Sequence, residues 1–186
     1  MTDPARTTRI QPLPAAERDE RQNELVAPLA VNGRDLRIFA TLVRHPRLFN
    51  RWSAFGGTLL RRGELSGRHR ELLVLRTAWH CHADYEWGQH VRIAAAAGVT
   101  DEEITRIVAG PDAPGWAALD AAVVRAADEL HRDSCIGDAT WEVLSSELDE
   151  RQLIEVCMVV GQYHLVAFAL NSLGVEPEAD AAPFPR

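Results

Sequence analysis

Apolar residues recur along this chain at steps of three and four, the spacing that lines them up on one face of an α-helix. Leu36, Phe39, Ala40 and Val43 do so over residues 34–43, and Leu48, Trp52, Phe55 and Leu59 over residues 46–60. His45-Pro46 separates the two, because proline disfavours the α conformation in the residue before it yet suits a first helical turn. Gly63 ends the second helix, and Ser66 is placed to cap a third that begins near Arg68 and carries Glu71. The run Leu72, Leu73, Val74 and Leu75 presents no polar face, so this third helix is expected to be buried on more than one side. A break over residues 79–84 precedes a fourth helix, which runs through Glu86, His90, Val91 and Ile93 to a stop at Gly98.

Thr100 with Glu103 has the capping-box pattern and opens a short helix to Ala109. Leu119, Val123, Ala126, Ala127 and Leu130 give an amphipathic helix over residues 116–131. Asp138 is expected to cap a short helix to Ser146, and Asp149 with Gln152 to open a long last one to about Leu173. No useful stretch alternates with a period of two, so the predicted class is all-α. Prolines make residues 1–16 an extended N-terminal arm, expected to lie over a neighbour or to stay mobile, and residues 177–186 a matching C-terminal tail. Residues 17–176 between them read as a single domain. Residues 156–175 carry no charge, but Gln162, His164, Asn171 and two glycines favour a central buried helix over a membrane span.

Composition narrows the function classes. A chain of 186 residues, 46% hydrophobic and 25% charged, has the make-up of one soluble globular domain large enough for a real core. Its net charge of −7 argues against general affinity for nucleic acid or an anionic membrane, leaving a small-molecule substrate and copies of itself as the expected partners. All 20 basic residues are arginine, which excludes a Schiff-base lysine. Cys81, Cys135 and Cys157 are odd in number and form no C-x-x-C, so neither a disulfide framework nor a structural zinc site is indicated. That pattern fits a reducing cytoplasm, and the N-terminus lacks the apolar core of a signal peptide. No cofactor is expected.

Candidate chemistry concentrates in residues 71–90, ELLVLRTAWHCHADYEWGQH. Glu86 and His90 are four apart, so on a helix they share a face, and a carboxylate there can fix an imidazole tautomer for acid–base work near neutral pH. Glu71 joins them only if two helices fold back on each other. Spacing alone leaves a solvated ion pair open. A metal reading through His82, Glu86 and His90 is weaker, since each four-residue step turns the helix face by about 40°; the expectation is no metal. Cys81 stands just before a helix, where the dipole lowers a thiol pKa, but it has no resolving partner nearby. Tyr85, Trp87, Tyr163, His164 and Cys81 are the further candidates for a substrate pocket, and Arg68 or Arg76 for holding a substrate carboxylate.

The stretches VRHPRLFNRWSAFGGTLLRRGEL, RHRELLVLRTAWHCHADYEWGQH, AAAAGVTDEEI and GQYHLVAFALNSLGVEPE together resemble the carboxymuconolactone decarboxylase family, whose fold is shared with AhpD-like alkylhydroperoxidases. The resemblance covers nearly all of residues 35–178. It implies an all-α subunit assembled as a trimer or a hexamer. The AhpD-like branch pairs a glutamate and a histidine with a C-x-x-C; aligning its histidine on His90 puts its glutamate on Glu71 and its thiols on Ala83 and Glu86. Both thiols are therefore absent here. The resemblance thus implies the non-redox branch, a lyase or isomerase acting by proton transfer on a small lactone or carboxylic acid. In it His90 is the general acid/base, Glu86 orients His90, and Glu71 tunes or relays the proton. An alkylhydroperoxidase and a non-catalytic ligand-binding member are the alternatives.

Overall fold

The computed structural model describes residues 7–185. Among them are nine α-helices and no strand, only an isolated bridge between Val31 and Arg34. The helices are α1 (Glu20–Val26), α2 (Arg37–Leu42), α3 (Pro46–Arg62), α4 (Gly67–His80), α5 (Asp84–Ala96), α6 (Asp101–Ala109), α7 (Ala118–Asp133), α8 (Asp138–Glu147) and α9 (Glu150–Leu173).

The predicted caps form where a side-chain oxygen meets the first free N–H groups. Ser66 accepts from His69 N, Thr100 closes a capping box with Glu103, and Asp149 closes another with Gln152. Asp138 is different: the N-cap of α8 is Gly137 and Asp138 is its first helical residue, with no side-chain cap. The short α1 was not singled out by its apolar pattern; its start is fixed by a capping box between Asp19 and Gln22.

The axis of the bundle is α4, in which every residue from Glu71 to Ala78 is buried. A helix apolar all round needs partners all round, and α5, α7 and α9 supply them. Two charges travel inside with it. Arg76 is held by Asp128 and by the carbonyls of Ile107 and Val108, and Glu71 by Arg70 and His90. Helix α9 is long and apolar enough to cross a membrane, yet half of its apolar window is buried inside the fold.

Both ends of the described chain lie on its own surface. Leu13 is buried and its N–H donates to Ala40 O, while Arg9 N–H donates to Leu173 O; the first six residues of the expected arm lie outside the described residues. At the other end Phe184 stacks on Trp79 at 5.4 Å and meets Trp87 edge-on at 5.6 Å. Gly88 explains how the tail comes so close, since a Cβ there would stand 2.8 Å from Ala181 Cβ and 3.0 Å from Ala182 O. Phe184→Ala is expected to cost about 1–2 kcal/mol, the transfer value of a half-buried phenyl ring. The urea midpoint checks it, and an unchanged midpoint would show the tail to be dispensable.

Candidate active site

Two helices folded back on each other bring the three candidate ionisable groups together. Cys81–Ala83 forms the reversal between α4 and α5, with His82 in the left-handed region at φ 47°. Glu71 on α4 then meets His90 on α5: Glu71 Oε2 lies 2.7 Å from His90 Nδ1. A carboxylate only accepts, so Nδ1 carries the hydrogen and Nε2 keeps the lone pair. The other Glu71 oxygen accepts from Arg70 Nε at 2.8 Å.

The histidine's partner is thus Glu71 and not Glu86, although Glu86 is on the same helix. Neither oxygen of Glu86 has a hydrogen-bond partner, and the residue is 2% exposed. A four-residue step places two side chains near each other but leaves their tips about 40° apart around the axis, while α4 presents Glu71 directly to the imidazole. The orienting role expected of Glu86 therefore falls to Glu71.

The two carboxyls differ in charge state for physical reasons. Burial, followed by the negative charge of Glu71, pushes Glu86 well above the ordinary carboxyl range and favours its neutral acid. Burial pushes Glu71 up as well, but the His90 ring and the Arg70 guanidinium outweigh it and hold Glu71 below its usual value. Two adjacent carboxyls pushed apart in this way are suited to different tasks.

Glu86 and His90 line a cavity of about 650 Å³ between α2, α3, α5 and α9. Its walls are mostly apolar, from Ile38, Phe39, Trp52 and Val166, with Tyr85, Gln89, Gln162 and Tyr163 among them. Tyr163 packs edge-on to His90 at 4.9 Å, and the Tyr85 hydroxyl donates to Glu178. Besides Glu86, Trp52 Nε1 and Gln162 Oε1 are buried without a partner. Three of the residues that line the cavity therefore have polar atoms that no protein group satisfies, as a site for a partly polar ligand requires.

Other expected pocket residues lie elsewhere. Trp87 is 2% exposed and packed between Trp79 and Phe184 in the core. Cys81 and His164 do not line the cavity; they lie together beside His131. Cys81 caps the C-terminal end of α4 instead of leading into α5, and burial pushes its thiol up to about 11. Arg68 is taken by Glu103 and Asp120, and Arg76 by Asp128, so neither is available to a substrate. The arginines that do line the cavity are Arg61 and Arg92, which no local pattern distinguishes among the 20. Arg92 pairs with Asp180, whereas Arg61 makes no ion pair among the described residues.

The model of the carboxymuconolactone decarboxylase family matches residues 46–129, which include Glu71, Glu86 and His90. No curated protein matches the chain. Several solved structures share its fold. An uncharacterized peroxidase-related protein from Ralstonia eutropha, described as an alkylhydroperoxidase AhpD core, is 18% identical with a TM-score of 0.77 over 92% of this chain and 94% of its own. A second, from Silicibacter, is 16% identical with a TM-score of 0.78 over 97% and 96%. The debrominase Bmp8, as a cysteine-to-alanine variant in complex with 2,3,4-tribromopyrrole, is 12% identical with a TM-score of 0.79 over 95% of each chain. At such identities the likeness shows the fold alone. Residues 46–129 thus carry a match to the carboxymuconolactone decarboxylase family, on a helical fold that the chain shares with AhpD-like proteins.

Proposed function

We propose that the protein is a carboxymuconolactone decarboxylase-like enzyme that moves a proton on a small lactone or carboxylic acid, in a lyase or isomerase reaction. The observation that carries this reading is the split between two buried carboxyls, Glu86 on the cavity wall and Glu71 behind His90. Glu71 accepts from His90 Nδ1 and is held below its usual range, whereas Glu86 has no partner of its own and is pushed towards its neutral acid.

The chemistry follows from those states. His90 Nε2, the free nitrogen, takes a proton from carbon next to a carbonyl group. Glu71 stays ionised beside the imidazolium that results and offsets its charge. The Glu86 O–H donates to the carbonyl oxygen, where negative charge grows as the enolate forms. Returning the proton from His90 at a different carbon completes an isomerisation. In a decarboxylation the enolate arises by loss of carbon dioxide, and a protonated His90 supplies the proton that quenches it. Arg61, unpaired at the cavity wall, supplies the cation for a substrate carboxylate. A charge-assisted bond of this kind predicts that Arg61→Ala raises KM by about tenfold with a smaller change in kcat; an unchanged KM would remove Arg61 from the site.

A thiol peroxidase is disfavoured by the same cavity, since none of the three cysteines lines it and the two positions that carry thiols in the redox branch are Ala83 and Glu86. Self-association is part of the proposal: Ile154, Met158, Leu165 and Phe168 are exposed along one side of α9, an apolar face suited to a second copy in a trimer or hexamer.

Proton transfer is tested without knowing the natural substrate. The protein is incubated in D2O with a panel of unsaturated lactones and β-keto acids. Deuterium incorporation at the carbon next to the carbonyl, or release of carbon dioxide, is the expected result. Neither with any panel member, together with consumption of an alkyl hydroperoxide in the presence of a dithiol, would replace this reading with the redox one.

A further inference from the structure

Outside the cavity, three soft donor side chains converge from three separate elements. Cys81 comes from the end of α4, His131 from α7 and His164 from α9, and one ligand atom of each lies within 4.8 Å of the other two. The chain has seven histidines and three cysteines in all, so this cluster is not a by-product of abundance. We propose that Cys81, His131 and His164 form a binding site for a borderline-soft transition metal, with Zn2+ the ion that suits the donor set.

The donors are held as ligands are held. His164 Nδ1 lies 2.8 Å from Val160 O, and a carbonyl only accepts, so Nδ1 carries the hydrogen and Nε2 keeps its lone pair. That Nε2 faces His131 Nδ1 at 2.9 Å. Two nitrogens on one tetrahedral zinc stand about 3.3 Å apart for Zn–N bonds of about 2.0–2.1 Å, so the pair needs to open by only a few tenths of an ångström. His131 is itself backed by His80, whose ring stacks on it at 4.6 Å and whose Nε2 lies 2.6 Å from Asp128 Oδ1. Cys81 is fixed from the far side, where Asn171 Nδ2 donates to its carbonyl at 2.8 Å.

Thiolate with two imidazoles selects zinc over magnesium or calcium, which prefer oxygen. On binding, Cys81 gives up its thiol proton to solvent and the His131 hydrogen moves from Nδ1 to Nε2, so one proton leaves per ion. Three protein ligands leave one coordination position open. Because His131 is exposed, the ion reaches the site from solvent.

The test uses the full chain, stripped with chelator and titrated with Zn2+ against a chromophoric competitor, and in parallel with Co2+. One equivalent of tight binding is expected, with a thiolate-to-cobalt charge-transfer band in the near ultraviolet. Cys81→Ser and His131→Ala are each expected to weaken binding by about 100-fold or more. His82→Ala, and Cys135→Ser combined with Cys157→Ser, leave affinity unchanged, which separates this site from adventitious surface thiols. His131→Ala removes an exposed side chain and so keeps the fold. No uptake by the wild type, cobalt bound without the charge-transfer band, or affinity unmoved by His131→Ala overturns the proposal.

Discussion

His90→Ala is expected to lower kcat/KM for the proposed proton-transfer reaction by about 10²–10⁴-fold, the range for loss of a positioned general acid/base. The ring borders the cavity, and with Nδ1 committed to Glu71 its Nε2 is the one basic nitrogen presented by α5. Truncation also leaves one oxygen of a fully buried Glu71 without its donor, which costs about 1–3 kcal/mol of stability. His90→Gln separates the two effects, because its amide N–H can still serve Glu71 but cannot exchange a proton near neutral pH. The expected result is a folded His90→Gln protein with the same rate loss as His90→Ala. Turnover retained by either variant would sink the role of His90.

The second large effect is on stability. Glu86→Gln is expected to make the protein more stable, by a margin that grows with pH. The sign follows from linkage: below the ordinary carboxyl range both the folded and the unfolded forms hold the Glu86 proton, and its contribution is complete. As pH rises, the unfolded chain releases that proton while burial and the Glu71 charge keep it on the folded one. The wild type then loses up to about 1.4 kcal/mol per pH unit relative to the glutamine variant, until Glu86 ionises in place. Glu71 has the opposite sign: its depressed pKa gives a contribution present above the carboxyl range and lost in acid. Urea unfolding of both proteins from pH 5 to 8 isolates Glu86, and parallel curves would show that it ionises as an ordinary carboxyl.

The unpartnered Glu86 shows where sequence reasoning stops. The spacing of Glu86 and His90 made them look like partners, because a helix brings positions four apart onto one face. Which of two nearby carboxyls meets the imidazole depends on how α4 crosses α5, and no local pattern carries that angle. The same holds for Trp87. It flanks Glu86 in sequence, but the next residue on a helix points about 100° away, and here that direction is the core. Cys81, expected at the favourable start of α5, ends α4 instead. Arg61 and Arg92 were indistinguishable from the other arginines until α3 and α5 were brought to the walls of one cavity.

By itself the sequence determined eight of the nine α-helices, since their apolar spacing, capping boxes and glycine stops are local and act within a few residues. It also determined that Glu71, Glu86 and His90 exist without the thiol pair of the redox branch, because residue types are not negotiable on folding. Only the tertiary structure decided the Glu71–His90 pairing, the unsatisfied Glu86 at the cavity, and the convergence of Cys81, His131 and His164. Each of these joins groups from different helices, and long-range packing, which no spacing along the chain encodes, sets the distances between them.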